Sequence, residues 1–298
     1  MKIKTKFIAA AFTTIATLTG LKANAQDPQP VFAEVRYAFS HVVDTTQRDK
    51  PRKEDMVLYL GKDASVYKSY TIAAKIEEMT KQAKELGGNS EVSKFIYSSP
   101  DATNEEIYNF TKIGKLTLLD KVGAKSFSIP QTYPKIDWKI GNETKEIGGY
   151  QCQIATATFR GRNYTAWFTT ELPFPYGPWK LSGLPGLILE AQDSKKEVVF
   201  SYAGFDKKQA NLMSISLPSD VAETDATALA RAKEAFLKNP EAAVLNSLGR
   251  PAGASVNVVY KDASGREISK DEVDALMATQ RKKRGLVTFN NPIELTNK

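Results

Sequence analysis

The chain has 298 residues, 42% of them hydrophobic and 25% charged, with a formal charge of +7, one cysteine and one histidine. A single cysteine cannot close an intramolecular disulfide and a single histidine cannot build a multi-histidine metal site, so stability must come from a packed core. No metal or cofactor motif stands out. The charge is too small, and too interspersed with carboxylates, for the broad basic face that a phosphate backbone requires, so nucleic acid is excluded as a partner.

Residues 1–25 read as a secretory signal. Lys2, Lys4 and Lys6 form a positive start, Phe7 to Leu21 carries no charge, and Ala23-Asn24-Ala25 offers small residues for cleavage before Gln26. The apolar run is shorter than a bilayer span, so the expected product is periplasmic or extracellular, with no transmembrane segment in the mature chain. Losing four lysines and no acid would lower the charge from +7 to +3, and 273 residues would remain, expected to fold as one domain over 26–298.

Beyond a polar start, Val31 to Val43 is rich in β-branched and aromatic residues and reads as a strand. Thr45 to Lys53 reads as a loop. Met56 to Leu60 and Ser65 to Tyr67 read as strands around the turn Gly61-Lys62-Asp63. Ile72, Ile76, Met79, Ala83 and Leu86 recur at helical spacing before Gly87-Gly88, which predicts a helix over Thr71 to Leu86.

From Glu106 to Leu217 the pattern shifts to strand-length runs separated by turns. The expected strands are Ile107 to Ile113, Lys115 to Val122, Ile136 to Ile140, Gly149 to Phe159, Tyr164 to Glu171, Leu187 to Ala191, Glu197 to Tyr202 and Leu212 to Leu217. Arg160-Gly161-Arg162-Asn163 and Gln192-Asp193-Ser194-Lys195 supply turn chemistry. Asp225 to Leu237 predicts a helix, Pro240 to Leu248 a second, and together they suggest a helical elaboration near 219–248. Val256 to Tyr260 reads as a strand, and Ser269 with Glu272 as a capping box opening a helix through Arg281. The resulting fold class is α+β: a curved, mostly antiparallel sheet, either an open half-barrel or a meander, with helices covering one side.

The densest signal is the run from Phe174 to Glu190. Pro173, Pro175 and Pro178 fix φ angles and remove donors, so Leu172 to Trp179 should be an irregular but stiff excursion. In Leu184-Pro185-Gly186-Leu187 proline suits the second position of a type II turn, and Gly186 the third, where φ must be positive. Phe174, Tyr176, Trp179 and Leu181 can plug an open end of the sheet. Alternatively Trp167, Tyr176 and Trp179 form an apolar binding surface, with Lys180 and Glu171 as orienting charges.

The run Gly183-Leu184-Pro185-Gly186-Leu187-Ile188 resembles the motif of the GLPGLI family of secreted proteins from Bacteroidetes-type bacteria. Ile136-Asp137-Trp138, Ile147 to Cys152, Ala166 to Glu171 and Asn290 to Leu295 are similar to its other landmarks. The resemblance implies an exported protein often found near outer-membrane transport systems, and no catalytic residue.

Catalytic candidates are few. Cys152 and His41 form one conceivable nucleophile pair, with a small buried thiol as the ordinary alternative. Glu171 and Glu190 flank the motif loop and are the carboxylate pair to examine. Asp44-Thr45-Thr46 resembles a short O-glycosylation signal in an exported protein. The leading expectation is a cell-envelope protein that binds a ligand or partner, for instance an outer-membrane transporter, without catalysis. An envelope hydrolase using Glu171, Glu190 or Cys152, or a structural or assembly factor, are the alternatives.

Overall fold

The computed structural model describes residues 28–74, 103–123, 125–209, 213–238 and 289–295, with short pieces between 260 and 279. Fourteen strands precede the principal helix among these residues. They are β1 (Gln29–Pro30), β2 (Ala33–His41), β3 (Arg52–Leu60), β4 (Ala64–Ser69), β5 (Glu106–Phe110), β6 (Lys115–Val122) and β7 (Lys125–Thr132). They continue with β8 (Lys139–Ile147), β9 (Tyr150–Phe159), β10 (Arg162–Thr169), β11 (Leu187–Asp193), β12 (Val198–Lys207), β13 (Ser214–Ile215) and β14 (Ala222–Glu223), before α1 (Ala226–Lys238).

Twelve of these strands form one sheet in the order β14-β7-β6-β5-β4-β3-β2-β12-β11-β10-β9-β8. Short turns force neighbours in sequence to be neighbours in space. The pairs are antiparallel except β14 against β7, and the sheet does not close. Its core face alternates: Val35, Tyr37 and Phe39 of β2 and Leu58 and Leu60 of β3 share a cluster with Tyr164, Ala166 and Phe168 of β10. That is the two-residue period of a strand, and β3 buries its other face too, through Val57 and Tyr59.

The sheet must curl. Trp179 and Lys180 are adjacent in sequence, yet Trp179 meets Tyr164 of β10 at 6.4 Å between ring centroids, and Lys180 donates to Gln131 of β7 at 2.9 Å. Eight strand steps separate β10 from β7, which in a flat sheet would be about 38 Å. Only strong curvature brings both within reach of one loop.

A second cluster joins Val57, Tyr59, Val66, Tyr108, Phe110 and Leu119 to Val31 and Ile215, with Tyr70, Ala73, Leu217 and Val221 against it. Val31, Ile215 and Leu217 of this covering lie in segments expected as strands, while Tyr70 and Ala73 come from the helical residues 70–74. α1 meets the sheet near the β6–β7 hairpin: Lys233 pairs with Asp120, and Phe236 lies against Gly123. Its start is capped by Asp225, whose Oδ1 accepts from the Ala228 amide at 2.8 Å. The Ser269–Glu272 capping box is also present, the two amides donating reciprocally at 2.8 and 3.2 Å. Residues 70–74 are helical; the rest of the expected helix to Leu86, the one over Pro240 to Leu248, and residues 256–259 lie outside the described residues, as does the signal segment.

Three expectations change. β7 has no counterpart in the sequence reading because Pro130 argues against a strand; β14 pairs beyond it only at Phe127 and Ser128, leaving Pro130 on an edge where a missing donor is tolerated. β8 starts at Lys139, not Ile136, because an outermost strand exposed on both faces loses alternation. Gly186 does not take a positive φ, so the type II turn is not formed; Gly183 does, at 92°. Gly186 is needed for a different reason: a Cβ there would lie 2.0 Å from the Thr169 carbonyl oxygen.

Candidate functional site

The excursion between β10 and β11 is a plug. Its amides turn back on its own ends: Gly183 N donates to Pro175 O at 3.1 Å, Leu187 N to Leu172 O at 3.0 Å and Ile188 N to Tyr176 O at 3.0 Å. Leu172, Tyr176, Trp179, Leu181 and Leu184 are all buried in the main core cluster. Tyr176 is fully buried, its hydroxyl 3.3 Å from Thr111 Oγ1, and burial pushes that phenol up to about 12. Trp179 packs against Phe159 at 5.7 Å between ring centroids, the rings tilted by 60°. The binding surface expected of Tyr176 and Trp179 is therefore replaced by core packing, because large rings held by a stiff loop gain more by filling the curled sheet than by facing water.

Lys180 goes inward too. It is 4% exposed, and its ammonium donates to Glu294 at 2.5 Å as well as to Gln131. Beside this pair, burial raises the Glu105 carboxyl above its ordinary value despite the opposing pull of Lys180. Glu171 is exposed and accepts from the Gln151 amide at 2.8 Å.

Trp167 is the exception among the expected aromatics. It points away from its buried neighbours Ala166 and Phe168, is half-buried, and stands opposite Glu190 of β11 and Ile154 of β9. The Lys145 ammonium sits 4.5 Å from its ring centroid and donates to Glu190 at 2.6 Å. Around them Thr165, Gln192 and Ser201 complete a hollow of about 80 Å³. Pockets that enclose a small molecule run to roughly 300–1,000 Å³, so this hollow can take a protruding group but not engulf a ligand. The Lys145–Glu190 pair is partly solvated on both sides, and with the ring contact contributes about 1 kcal/mol.

The nucleophile pair is not assembled. His41 on β2 and Cys152 on β9 are four strand steps apart, and each bonds elsewhere: the Cys152 thiol donates to the Tyr150 carbonyl at 3.6 Å, and His41 to Asn291. Burial, aided by Glu190, pushes the Cys152 thiol up to about 11, which leaves it protonated at neutral pH. The imidazole serves another purpose. Burial lowers His41 to about 4, so it is neutral at pH 7 and donates from Nε2 to the Asn291 carbonyl at 2.8 Å.

That contact belongs to a buried node the sequence reading missed. Arg162, 3% exposed, donates to Asp193 Oδ2 at 2.8 Å and Glu197 Oε2 at 3.1 Å. It also donates to Asn291 Oδ1 and Pro292 O at 2.7 Å and to Ile293 O at 2.9 Å. Asn291 donates to Val42 O at 2.6 Å and to Glu197 at 3.1 Å. Burial opposes the charge of Glu197, but hydrogen bonds from Arg162, Arg48 and Asn291 outweigh it and hold the carboxyl below its ordinary value. Arg162 and Asp193 read as turn residues in sequence; the signal available was their opposite charge at the mouths of two consecutive hairpins. Among the described residues, no group of three or more His, Cys, Asp or Glu is arranged to hold a metal ion, and no helix is long and apolar enough to cross a membrane. Thr45 of the Asp44-Thr45-Thr46 turn is exposed, its hydroxyl donating to Asn290 Oδ1 at 3.1 Å.

Residues 160–190 match the sequence model of a family described as "Protein of unknown function (Porph_ging)". The match starts in the β9–β10 turn and ends in β11, taking in the plug, Trp167 and Glu190. No curated protein matches the chain. Two structures of PNGF-II, in P21 and C2 space groups, are similar at 17% and 15% identity, each with a TM-score of 0.48. Each similarity covers 68% of this chain and 33% of the other, so the chain spans about a third of the length of those proteins.

Proposed function

We propose that the chain is an exported cell-envelope protein of the GLPGLI type that recognises a ligand or partner without catalysis, in association with outer-membrane transport. The observation that carries this reading is the half-buried Trp167, set in a hollow with Lys145 and Glu190 while Tyr164, Phe168, Tyr176 and Trp179 of the matched segment are buried. An indole flanked by a cation, a carboxylate, an amide and two hydroxyls has the composition of a recognition surface. The hollow's size favours a group projecting from a larger partner.

Capture from envelope extract tests it, using the full chain and the Trp167→Ala and Glu190→Ala variants with circular dichroism as a folding control. At least one protein or small molecule retained by the parent should be lost, by about tenfold, from both folded variants. Equal retention by all three would remove the hollow from the account. The burial of Tyr176 and Trp179 supports a structural role for the plug itself, which is compatible with recognition elsewhere on the same domain.

A further inference from the structure

The segment 289–295 touches three separate parts of the fold. Asn290 and Asn291 amides donate to Val43 O, two residues past β2, both at 3.2 Å. Asn291, Pro292 and Ile293 feed three acceptors to Arg162 on β10. Glu294 holds Lys180 of the plug and lies 3.7 Å from Arg160 Nε, while the Leu295 amide donates to Arg160 O at 3.0 Å. The only charge the strap contributes is therefore on Glu294.

The node beneath it does not need the strap for charge balance. Arg162 and Arg48 face Asp193 and Glu197, two cations against two anions, and the strap adds only neutral amide and carbonyl groups there. Lifting it would take three acceptors from Arg162 but leave both its carboxylate partners, Asp193 and Glu197, in place.

Strain collects along the same seam. Arg160 and Trp179, at φ 50° and 56°, are two of the non-glycine residues with left-handed backbone. Arg160 Nε, Tyr164 Oη and Ser182 Oγ are buried without a hydrogen-bond partner. Strained φ angles and unsatisfied polar atoms each cost about 1–3 kcal/mol while the seam stays shut. Opening recovers part of that cost.

We propose that residues 289–295 are a latch: strap and plug open together as one local unit, and opening uncovers the aromatic surface of Phe159, Tyr164 and Trp179 while the β2–β6 part of the sheet stays folded. Glu294–Lys180 is the contact that couples the two segments. The device is independent of the Trp167 hollow, which lies on the other side of β10.

Amide hydrogen exchange on the full-length chain tests the latch, comparing the parent with Asn291→Ala and with Glu294→Gln. Both variants should speed exchange of residues 173–186 and 289–295 together, by about tenfold, and leave β3 to β6 unchanged. Both should also raise the fluorescence of anilinonaphthalene sulfonate, an apolar probe, in proportion to that opening. If the strap alone loosens while 173–186 keeps its protection, the coupling is wrong. Loss of protection in β3 to β6 to the same extent would make the strap part of the global fold and overturn the latch.

Discussion

At Gly183 and Gly186, three residues apart in one motif, glycine is required for two different reasons, and substitution separates them. At Gly183 a side chain has open space but an unfavourable φ, so Gly183→Ala should cost about 1–2 kcal/mol. At Gly186 a Cβ would run into the Thr169 backbone, which cannot move without breaking β10 from β11, so Gly186→Ala should cost more than about 3 kcal/mol. Urea unfolding midpoints of the two variants measure the difference directly. The sequence showed that these glycines matter but not which geometry each serves, because φ demand and backbone proximity leave the same letter.

His41 supplies a pH test at the same scale. Its folded value, about 4, lies below the unfolded 6.5, so between these limits the unfolded chain binds the extra proton and stability rises with pH. On acidification from pH 6.5 to 4 the chain should lose roughly 3 kcal/mol through this group. His41→Gln keeps an amide donor for the Asn291 carbonyl and should flatten the curve between pH 6.5 and 5, above the range where carboxylates dominate. An unchanged slope in the variant would mean the imidazole is already free to protonate.

Among elements, strands with a buried face were legible and edge strands were not. β6, a continuous run buried on both faces, follows its expected limits, and β9 and β10 begin or end within two residues of theirs, β10 through its alternation against the core cluster. β8, outermost and exposed, carries Asn142, Glu143 and Thr144 where alternation would want apolar residues, and it also shifts register between Ile140 and Thr144. Such irregularity suits an edge that must not recruit another strand. The strap was visible only as a landmark, since nothing local tells that Asn291 sits beside Arg162, 129 positions earlier.

On the scale of the whole molecule, curvature determines which aromatics can act. A plug that bridges β10 and β7 fills the inside of the curled sheet, so Tyr176 and Trp179, the residues a sequence reader would assign to binding, become core. Trp167 escapes because it alternates with buried neighbours on β10 and faces the other way. The sequence groups Trp167, Tyr176 and Trp179 into one surface; which of them is buried is decided by long-range contacts such as Lys180 with Gln131, not by local pattern. The same division explains why Cys152 and His41 never meet, although each is the only residue of its type.

The separation of a fully packed tryptophan from a half-buried one is the central claim, and it can be measured without knowing any ligand. Equilibrium unfolding of Trp179→Ala and Trp167→Ala should differ sharply: removing the buried ring should cost about 3–5 kcal/mol, removing the half-exposed one about 1 kcal/mol. Equal losses, or the larger loss at Trp167, would contradict the account and return the site to the loop.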